Sequence, residues 1–417
     1  MNQNIAKFVL LYICKNILTM ATIGLIREEK IPQDNRVALT PAHCRWIHQQ
    51  NRGVTVVAQS SETRCYKDKE YEQAGIKIVE QLDQCDILMG IKEVPVDKLI
   101  PHKTYLLFSH TKKQQPYNKQ MFRTMIEKKI TLIDYECLTY EDGQRLIGFG
   151  FFAGVVGAHN GIMAYGNRKG LYHLKRIKGL GLNALVHQYF GLKLPPIKIV
   201  VTGSGRVAKG IVEVMNLMDI QEVETEDYLT KKFSYPVYVH LKGSNLYQHK
   251  NTGKYLREDF HAYPQQYNCL FEQYYPHTDI LMNGIYWEAG IPRLFEMNDL
   301  QKENFSIQTI ADITDDINGS VPCNVGSSTL DEPIYGIDKF TGIKTTPYLP
   351  NSVDVMAVSN LPNELPRDAS RYFSEQLIKY VLEEIIKPDS ALINRAMILK
   401  KGELTEPFRY LSDYATH

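Results

Sequence analysis

The stretch Ile197-Lys198-Ile199-Val200-Val201-Thr202-Gly203-Ser204-Gly205-Arg206-Val207-Ala208-Lys209-Gly210 runs from an apolar, β-branched segment into a glycine-rich turn. Ile211, Val212, Val214, Met215, Leu217 and Met218 follow at helical spacing. The pattern predicts strand, tight turn and helix. Gly203 permits the turn, Gly205 lets the backbone approach a pyrophosphate, and Ala208 allows close packing of helix on strand. Phosphates would sit on the helix N-terminus. Alone, the same residues also describe a turn that holds no ligand, so the surrounding chain has to decide.

A dinucleotide turn of this kind expects an acid about twenty residues on, at the end of the second strand. Glu224 and Glu226 compete for that place. A carboxylate there bonds a ribose 2′-hydroxyl and favours NAD, whereas Arg206 and Lys209 nearby suit a 2′-phosphate, so NADP stays open. Ser204, Val207 and, further on, Ile285 complete the expected cofactor contacts.

The chain has 417 residues, too many for one ordinary core, and the length suggests two or three domains. Hydrophobic residues make up 44% and charged residues 23%, with a net charge of +1. This balance offers no general attraction for nucleic acid or anionic membranes. Seven cysteines are scattered singly without a CxxC pair, which fits a reducing, cytoplasmic setting better than a disulfide framework or a structural zinc site. The apolar run Phe8 to Ile13 is too short to span a bilayer. Residues 1–19 read as a disordered or spurious extension before a first strand near Ile23.

Strand-like runs at Ile23–Ile26, Val54–Val57, Ile87–Ile91, Tyr105–Phe108 and Thr131–Ile133 alternate with helical segments, one opened by Thr40-Pro41 and one spanning about Pro116 to Lys128. Residues 149–190 read as long helices with a small-residue start. Further strands are expected at Gln221–Thr225, Val237–Leu241, Ile280–Met282 and Ile307–Ile313. The aromatic, proline-bearing segment Lys242–Pro276 reads as a packed flap rather than a lid. A last helix starts near Asp368. The alternation predicts an α/β chain of two Rossmann-like, doubly wound parallel-sheet domains flanking a cleft.

Ligands in such sheets gather at the carboxyl ends of strands. Lys92-Glu93 follow one strand, His110 and Lys113 the next, and Asp134-Tyr135-Glu136 a third. A lysine and a histidine near carboxylates supply an acid and a base near neutral pH, given burial or a neighbouring cofactor. Arg36 and Arg145 offer guanidinium forks for substrate carboxylates. Each of these residues taken singly also fits an ordinary surface charge or structural histidine. There is no Walker loop, no Gly-x-Ser-x-Gly and no His-Glu-x-x-His, and no metal is called for.

Several stretches together resemble the alanine dehydrogenase and transhydrogenase superfamily, and within it the L-lysine-forming saccharopine dehydrogenases, or lysine–2-oxoglutarate reductases. They are Arg27-Glu28-x7-Arg36-x-Ala38-Leu39-Thr40-Pro41, Gly90-Ile91-Lys92-Glu93-x-Pro95, Phe108-Ser109-His110-Thr111-Lys112-Lys113-x-Gln115 and Ile133-Asp134-Tyr135-Glu136. Phe149-Gly150-x-x-Ala153-Gly154, Asn283-Gly284-Ile285-Tyr286-Trp287-Glu288, Ala311-Asp312-Ile313 and Asn360-Leu361-Pro362-x-x-Leu365-Pro366 continue the series. The chain departs at Ser359, where many relatives have Asp.

The resemblance implies a reaction in which lysine and 2-oxoglutarate condense to an imine that NAD(P)H reduces to saccharopine, in either direction. It implies Lys92 as the base toward the secondary amine and His110 as the acid–base group for imine hydrolysis. Glu93 and Glu136 would tune Lys92, and Arg36, Arg145 and Lys113 would meet carboxylates. It also implies that residues 20–150 plus 350–417 form the substrate domain, with 151–349 carrying the cofactor. An alanine dehydrogenase-like amino-acid dehydrogenase and a non-catalytic dinucleotide-binding sensor are the rival readings; the Asn-Gly-Ile-Tyr-Trp and Asn-Leu-Pro stretches favour the saccharopine branch. Assembly into an oligomer is compatible with the family.

Overall fold

The computed structural model describes residues 21–50 and 53–416 and divides them into two compact units. One holds the described residues up to Gly148 and from Pro366 onward; the other is Phe149–Leu365. The expectations for residues 1–19 lie outside the described residues.

In the first unit, β1 (Ala21–Leu25), α1 (Pro41–Gln50), β2 (Val54–Gln59), α2 (Asp68–Gln73) and β3 (Lys77–Val79) are followed by β4 (Ile87–Met89), β5 (Thr104–Leu107), α3 (Lys119–Glu127) and β6 (Thr131–Asp134). Their order across the sheet is β6-β5-β4-β1-β2-β3, all parallel. The central strands are apolar on both faces: Ile23, Val56, Leu88, Leu106 and Leu132 are buried, as a sheet covered by helices on both sides requires. Thr40 caps α1 as its sequence predicts, its Oγ1 accepting from His43 N at 3.3 Å, with Pro41 at the first helical position.

The second unit opens with α4 (Gly150–Lys169), which Gly170 closes in the left-handed region at φ 63°. The long helices read for 149–190 are this one helix and the short α5 (Leu182–His187). β7 (Lys198–Thr202) then meets α6 (Arg206–Leu217), and β8 (Gln221–Glu222), α7 (Thr225–Thr230) and β9 (Val237–Leu241) follow. Glycine is required where α4 crosses α6. A Cβ on Gly154 would lie 2.1 Å from Val207 O, and one on Gly210 would lie 2.0 Å from Phe151 O. The close approach is thus helix on helix, and the small-residue start of α4 exists to permit it.

The segment read as a flap contains the hairpin of β10 (Tyr247–His249) and β11 (Tyr267–Cys269) and the short α8 (Arg257–Ala262). It is part of the core: Tyr247, Phe260, Tyr267, Phe271, Tyr274 and Tyr275 are buried in one cluster with Val200, Val239 and Leu281. Phe260 meets Tyr267 edge-on, centroids 5.1 Å apart. β12 (Ile280–Asn283), β13 (Thr309–Asp312), β14 (Ile334–Asp338), β15 (Lys344–Thr345) and β16 (Ser352–Met356) complete a sheet of order β15-β14-β16-β13-β12-β7-β9-β8, antiparallel only at the β14 and β15 edge.

The return to the first unit expected at about residue 350 comes at Pro366 instead, because β16 is hydrogen-bonded between β13 and β14. α9 (Pro366–Tyr380) buries Ala369, Ser370, Phe373, Ser374 and Leu377. Ser370 Oγ accepts from Val37 N at 2.9 Å, and the Phe373 ring lies 5.8 Å from Phe108 and 5.2 Å from Tyr135. The helix therefore backs the strand ends that carry the titratable residues. β17 (Met397–Lys400) and β18 (Glu403–Leu404) then extend the first sheet antiparallel beyond β6.

Candidate active site

Parallel pairing alone brings the expected residues to one edge. Leu25 pairs with Met89, Met89 with Leu106, and Leu107 with Asp134. Glu28, Lys92, His110 and Glu136 all follow just beyond those positions.

Lys92 is fixed through its backbone. Both oxygens of the buried Glu28 carboxyl accept main-chain protons, from Ile91 N at 2.6 Å and Lys92 N at 2.9 Å. Gly90 makes the approach possible, since a Cβ there would stand 3.2 Å from Glu28 Oε1. Burial, with a smaller push from Asp34, raises Glu28 to about 8. The Lys92 ammonium has no hydrogen bond or ion pair among the described residues. Burial, helped by the positive charges of Arg36 and Lys30, brings it down to about 8 against Asp34 and Glu93. Lys92 can accordingly hold or release a proton in the weakly alkaline range.

His110 sits at φ 52°, in the left-handed region, and its neighbours hold it there. Ser109 N donates to Asp134 Oδ2 at 2.9 Å, Ser109 Oγ and Thr111 Oγ1 are 2.7 Å apart, and Asn118 Nδ2 donates to Ser109 O at 2.9 Å. The ring Nδ1 lies 2.5 Å from Glu93 Oε1. Glu93 also accepts from Lys30 Nζ at 2.7 Å and Asn118 Nδ2 at 3.1 Å. Burial alone would raise Glu93, but these hydrogen bonds and charges hold it well below the usual carboxylate range. The ionised carboxylate accepts from Nδ1–H, leaving Nε2 as the basic nitrogen.

One expectation changes, and three other residues stand in surroundings the sequence does not indicate. Glu136 does not tune Lys92: it accepts from Arg145 at 3.0 Å, and the carboxylates acting on Lys92 are Asp34 and Glu93. Arg36 is buried at 3% exposure and closed on Asp34, Nε to Oδ1 at 3.0 Å and a terminal nitrogen to Oδ2 at 2.6 Å. Burial would raise Asp34, but Arg36 outweighs it and brings the carboxyl to about 2. Lys113 lies exposed in the turn after His110, and Arg145 is exposed as well. Asp34, Glu28, Lys30 and Asn118 went unassigned from sequence. The Asp34-x-Arg36 spacing, and the place of Glu28 in a stretch that carries the resemblance, are the signals available for them.

In the second unit, Gly203 has φ 100°, and a Cβ on it would lie 2.4 Å from Gly284 O. A Cβ on Gly205, the residue before α6, would meet nothing within 4 Å. The turn is therefore closed on its protein side and open at Gly205, which fits a pyrophosphate against the start of a 12-residue helix. Ser204 is exposed, and Arg206 and Val207 are partly so. Ile285 places its backbone beside Gly203, while its side chain belongs to the buried cluster. Glu224 and Glu226 are not at the end of a neighbouring strand. Glu224 is the N-cap of α7 and Glu226 lies in its first turn, beyond the edge strand β8.

Behind the turn a polar network ties three strand ends together. Thr202 Oγ1 donates to Asn283 Oδ1 at 2.8 Å, Asn283 Nδ2 donates to Asp312 Oδ1 at 2.8 Å, and Asn324 Nδ2 donates to Asp312 Oδ2 at 2.9 Å. Burial raises Asp312 to about 6 despite these bonds. Among the described residues no cluster of His, Cys, Asp or Glu is suited to a metal ion, and no helix is long and apolar enough to cross a membrane.

Residues 24–156 match the family model described as Alanine dehydrogenase/PNT, N-terminal domain. The chain is 28% identical to an alpha-aminoadipic semialdehyde synthase of Arabidopsis thaliana over 93% of its own length and 41% of that protein's. It is 24% identical to a saccharopine dehydrogenase [NAD(+), L-lysine-forming] of Yarrowia lipolytica, covering 86% of this chain and 91% of that one. It thus spans 41 to 47% of the length of the aminoadipic semialdehyde synthases it matches. A solved L-alanine dehydrogenase shares the fold at a TM-score of 0.63 and 16% identity, over 94% of this chain and 100% of that one. The family match covers the stretch from β1 into α4, and the fold shared with the solved L-alanine dehydrogenase extends over 94% of the chain.

Proposed function

We propose that the chain is an NAD(P)-dependent saccharopine dehydrogenase of the L-lysine-forming type, interconverting L-lysine plus 2-oxoglutarate with saccharopine. The observation that carries the reading is the pairing of an unpartnered lysine, brought to about 8, with a histidine oriented by a buried carboxylate on adjacent strand ends. The names borne by relatives that match most of this chain's length support it.

In the oxidative direction Lys92 Nζ, when neutral, takes the proton from the secondary amine as the C–H electron pair leaves. A nicotinamide dinucleotide held by the turn Gly203–Val207 would supply the hydride acceptor for that pair. His110 Nε2 then takes a proton from the water that adds to the imine carbon and passes it to the nitrogen, and next takes the carbinolamine's hydroxyl proton and gives it to the same nitrogen as the C=O bond forms and the C–N bond breaks. Lysine and 2-oxoglutarate are released. In the reductive direction the same groups act in reverse, and one water is lost for each imine formed. Arg36, oriented by Asp34, together with Lys113 and Arg145, are the cations proposed for the substrate's three carboxylates. The turn Gly203–Val207 and the Ile285 backbone hold the dinucleotide.

A cytoplasmic, reducing setting is part of the proposal, supported by the six free cysteines among the described residues. Oxidation of saccharopine, followed by absorbance of the reduced nicotinamide with NAD+ and with NADP+, tests the reading. Turnover with at least one cofactor is expected. No turnover with either overturns it.

A further inference from the structure

The strand beside the glycine turn is not the one that follows it in the chain. β8 comes next after α6, yet it occupies the sheet edge outside β9. β9 runs along β7 through five residue pairs, ending at Thr202 with Leu241, and Gly203 N donates to Leu241 O at 3.1 Å. In sheets of this type, the residue just past the neighbouring strand's carboxyl end faces the ribose 2′ position. That residue is Lys242.

Side-chain alternation aims it correctly. His240 Nε2 reaches Gly203 O at 2.6 Å, so this face of β9 looks onto the turn. Lys242, two residues on and still extended at φ −153° and ψ 148°, emerges on the same face. It is exposed and makes no ion pair among the described residues, and Ser244 is exposed two residues later. Glu224 belongs one strand further out, about 10 Å from β7 at roughly 4.8 Å per strand. The place where an NAD-binding turn has its carboxylate is therefore held by an ammonium, with an exposed serine two residues on.

We infer that Lys242, assisted by Ser244, is the specificity-determining residue for the dinucleotide, and that it selects NADPH over NADH by taking the 2′-phosphate. This rests on the dinucleotide reading above. A lysine facing a phosphate dianion is a charge-assisted contact, and removing it costs about ten- to a hundredfold in affinity.

The test uses the full chain with two probes that carry no nicotinamide, ADP-ribose and its 2′-phosphate, titrated by calorimetry, alongside kcat/KM for NADPH and NADH. The 2′-phosphorylated probe should bind at least tenfold tighter. Lys242→Ala should bring the two affinities within about threefold of each other while leaving ADP-ribose binding unchanged, and Lys242→Glu should reverse the preference. Ser244→Ala should cost the phosphorylated probe a few-fold. Equal binding of the two probes by the unaltered chain overturns the inference and leaves the dinucleotide reading standing. So does an unchanged ratio in Lys242→Ala accompanied by a changed one in Glu224→Ala. Binding of neither probe overturns the dinucleotide reading and this inference with it.

Discussion

Glu93→Gln probes the site at the point where most of its hydrogen bonds converge. The carboxylate accepts from His110, Lys30 and Asn118 while almost fully buried. The amide that replaces it keeps one acceptor oxygen, loses the charge, and turns an NH2 toward donors. Lys30 is 27% exposed and can turn to water, so the expected loss of stability is that of one or two charge-assisted bonds, about 2 kcal/mol. Urea unfolding at pH 7 should show it as a lower midpoint with unchanged slope.

The sign with pH follows from the direction of the shift. Glu93 is held below the usual carboxylate range, so its contribution is complete above the unfolded value of about 4.3 and fades as pH falls below it. The gap between native chain and variant should close in acid. His110 also loses the group that orients its ring, and turnover should fall about a hundredfold while dinucleotide affinity is kept. A variant with turnover within threefold of the native chain and an unchanged unfolding midpoint would refute the role given to Glu93.

Other substitutions test other parts. Lys92→Met should lower saccharopine oxidation about a hundredfold or more and abolish the rise in rate through about pH 8 expected of the native chain, whose neutral amine accepts the proton; kcat profiles from pH 6 to 10 check both. Glu28→Gln should lose about 1–3 kcal/mol in denaturant unfolding, because an amide nitrogen then faces one of two backbone N–H groups. The native Glu28, raised to about 8, contributes stability that declines from about pH 4.3 upward, and the variant should lack that decline. Gly210→Ala should destabilise the second unit by about 2–3 kcal/mol, since its methyl meets backbone rather than a movable side chain; thermal unfolding checks it.

What the sequence revealed follows from which interactions are local. The strands of both sheets and the turn at Gly203 rest on apolar runs and glycine punctuation within a few residues, so they are legible. So is the convergence of Lys92, Glu93, His110 and Glu136, because consecutive parallel strands place their carboxyl ends together. Partnerships over long separations were hidden. That Glu28 would hold the Lys92 backbone, sixty-four residues away, and that Lys30 would reach Glu93, sixty-three residues on, depend on side-chain packing that no spacing encodes. The order of β8 and β9 was also hidden, since a chain in which strands alternate with helices does not state which strand lands next to β7. Chain order therefore points to Glu224 and Glu226, whereas strand order sets Lys242 beside β7. The aromatic segment after it has no period of its own, and only the hairpin of β10 and β11 shows why its rings are core.

The proposed reaction is tested at its centre by what the chain reduces. With NADPH and NADH each supplied in turn, lysine plus 2-oxoglutarate is compared with pyruvate plus ammonia, and the product is identified by mass. Consumption of reduced cofactor is expected with the first pair, with a product of the mass of saccharopine, and little or no rate with the second. Consumption with pyruvate and ammonia but none with lysine and 2-oxoglutarate would contradict the proposed reaction.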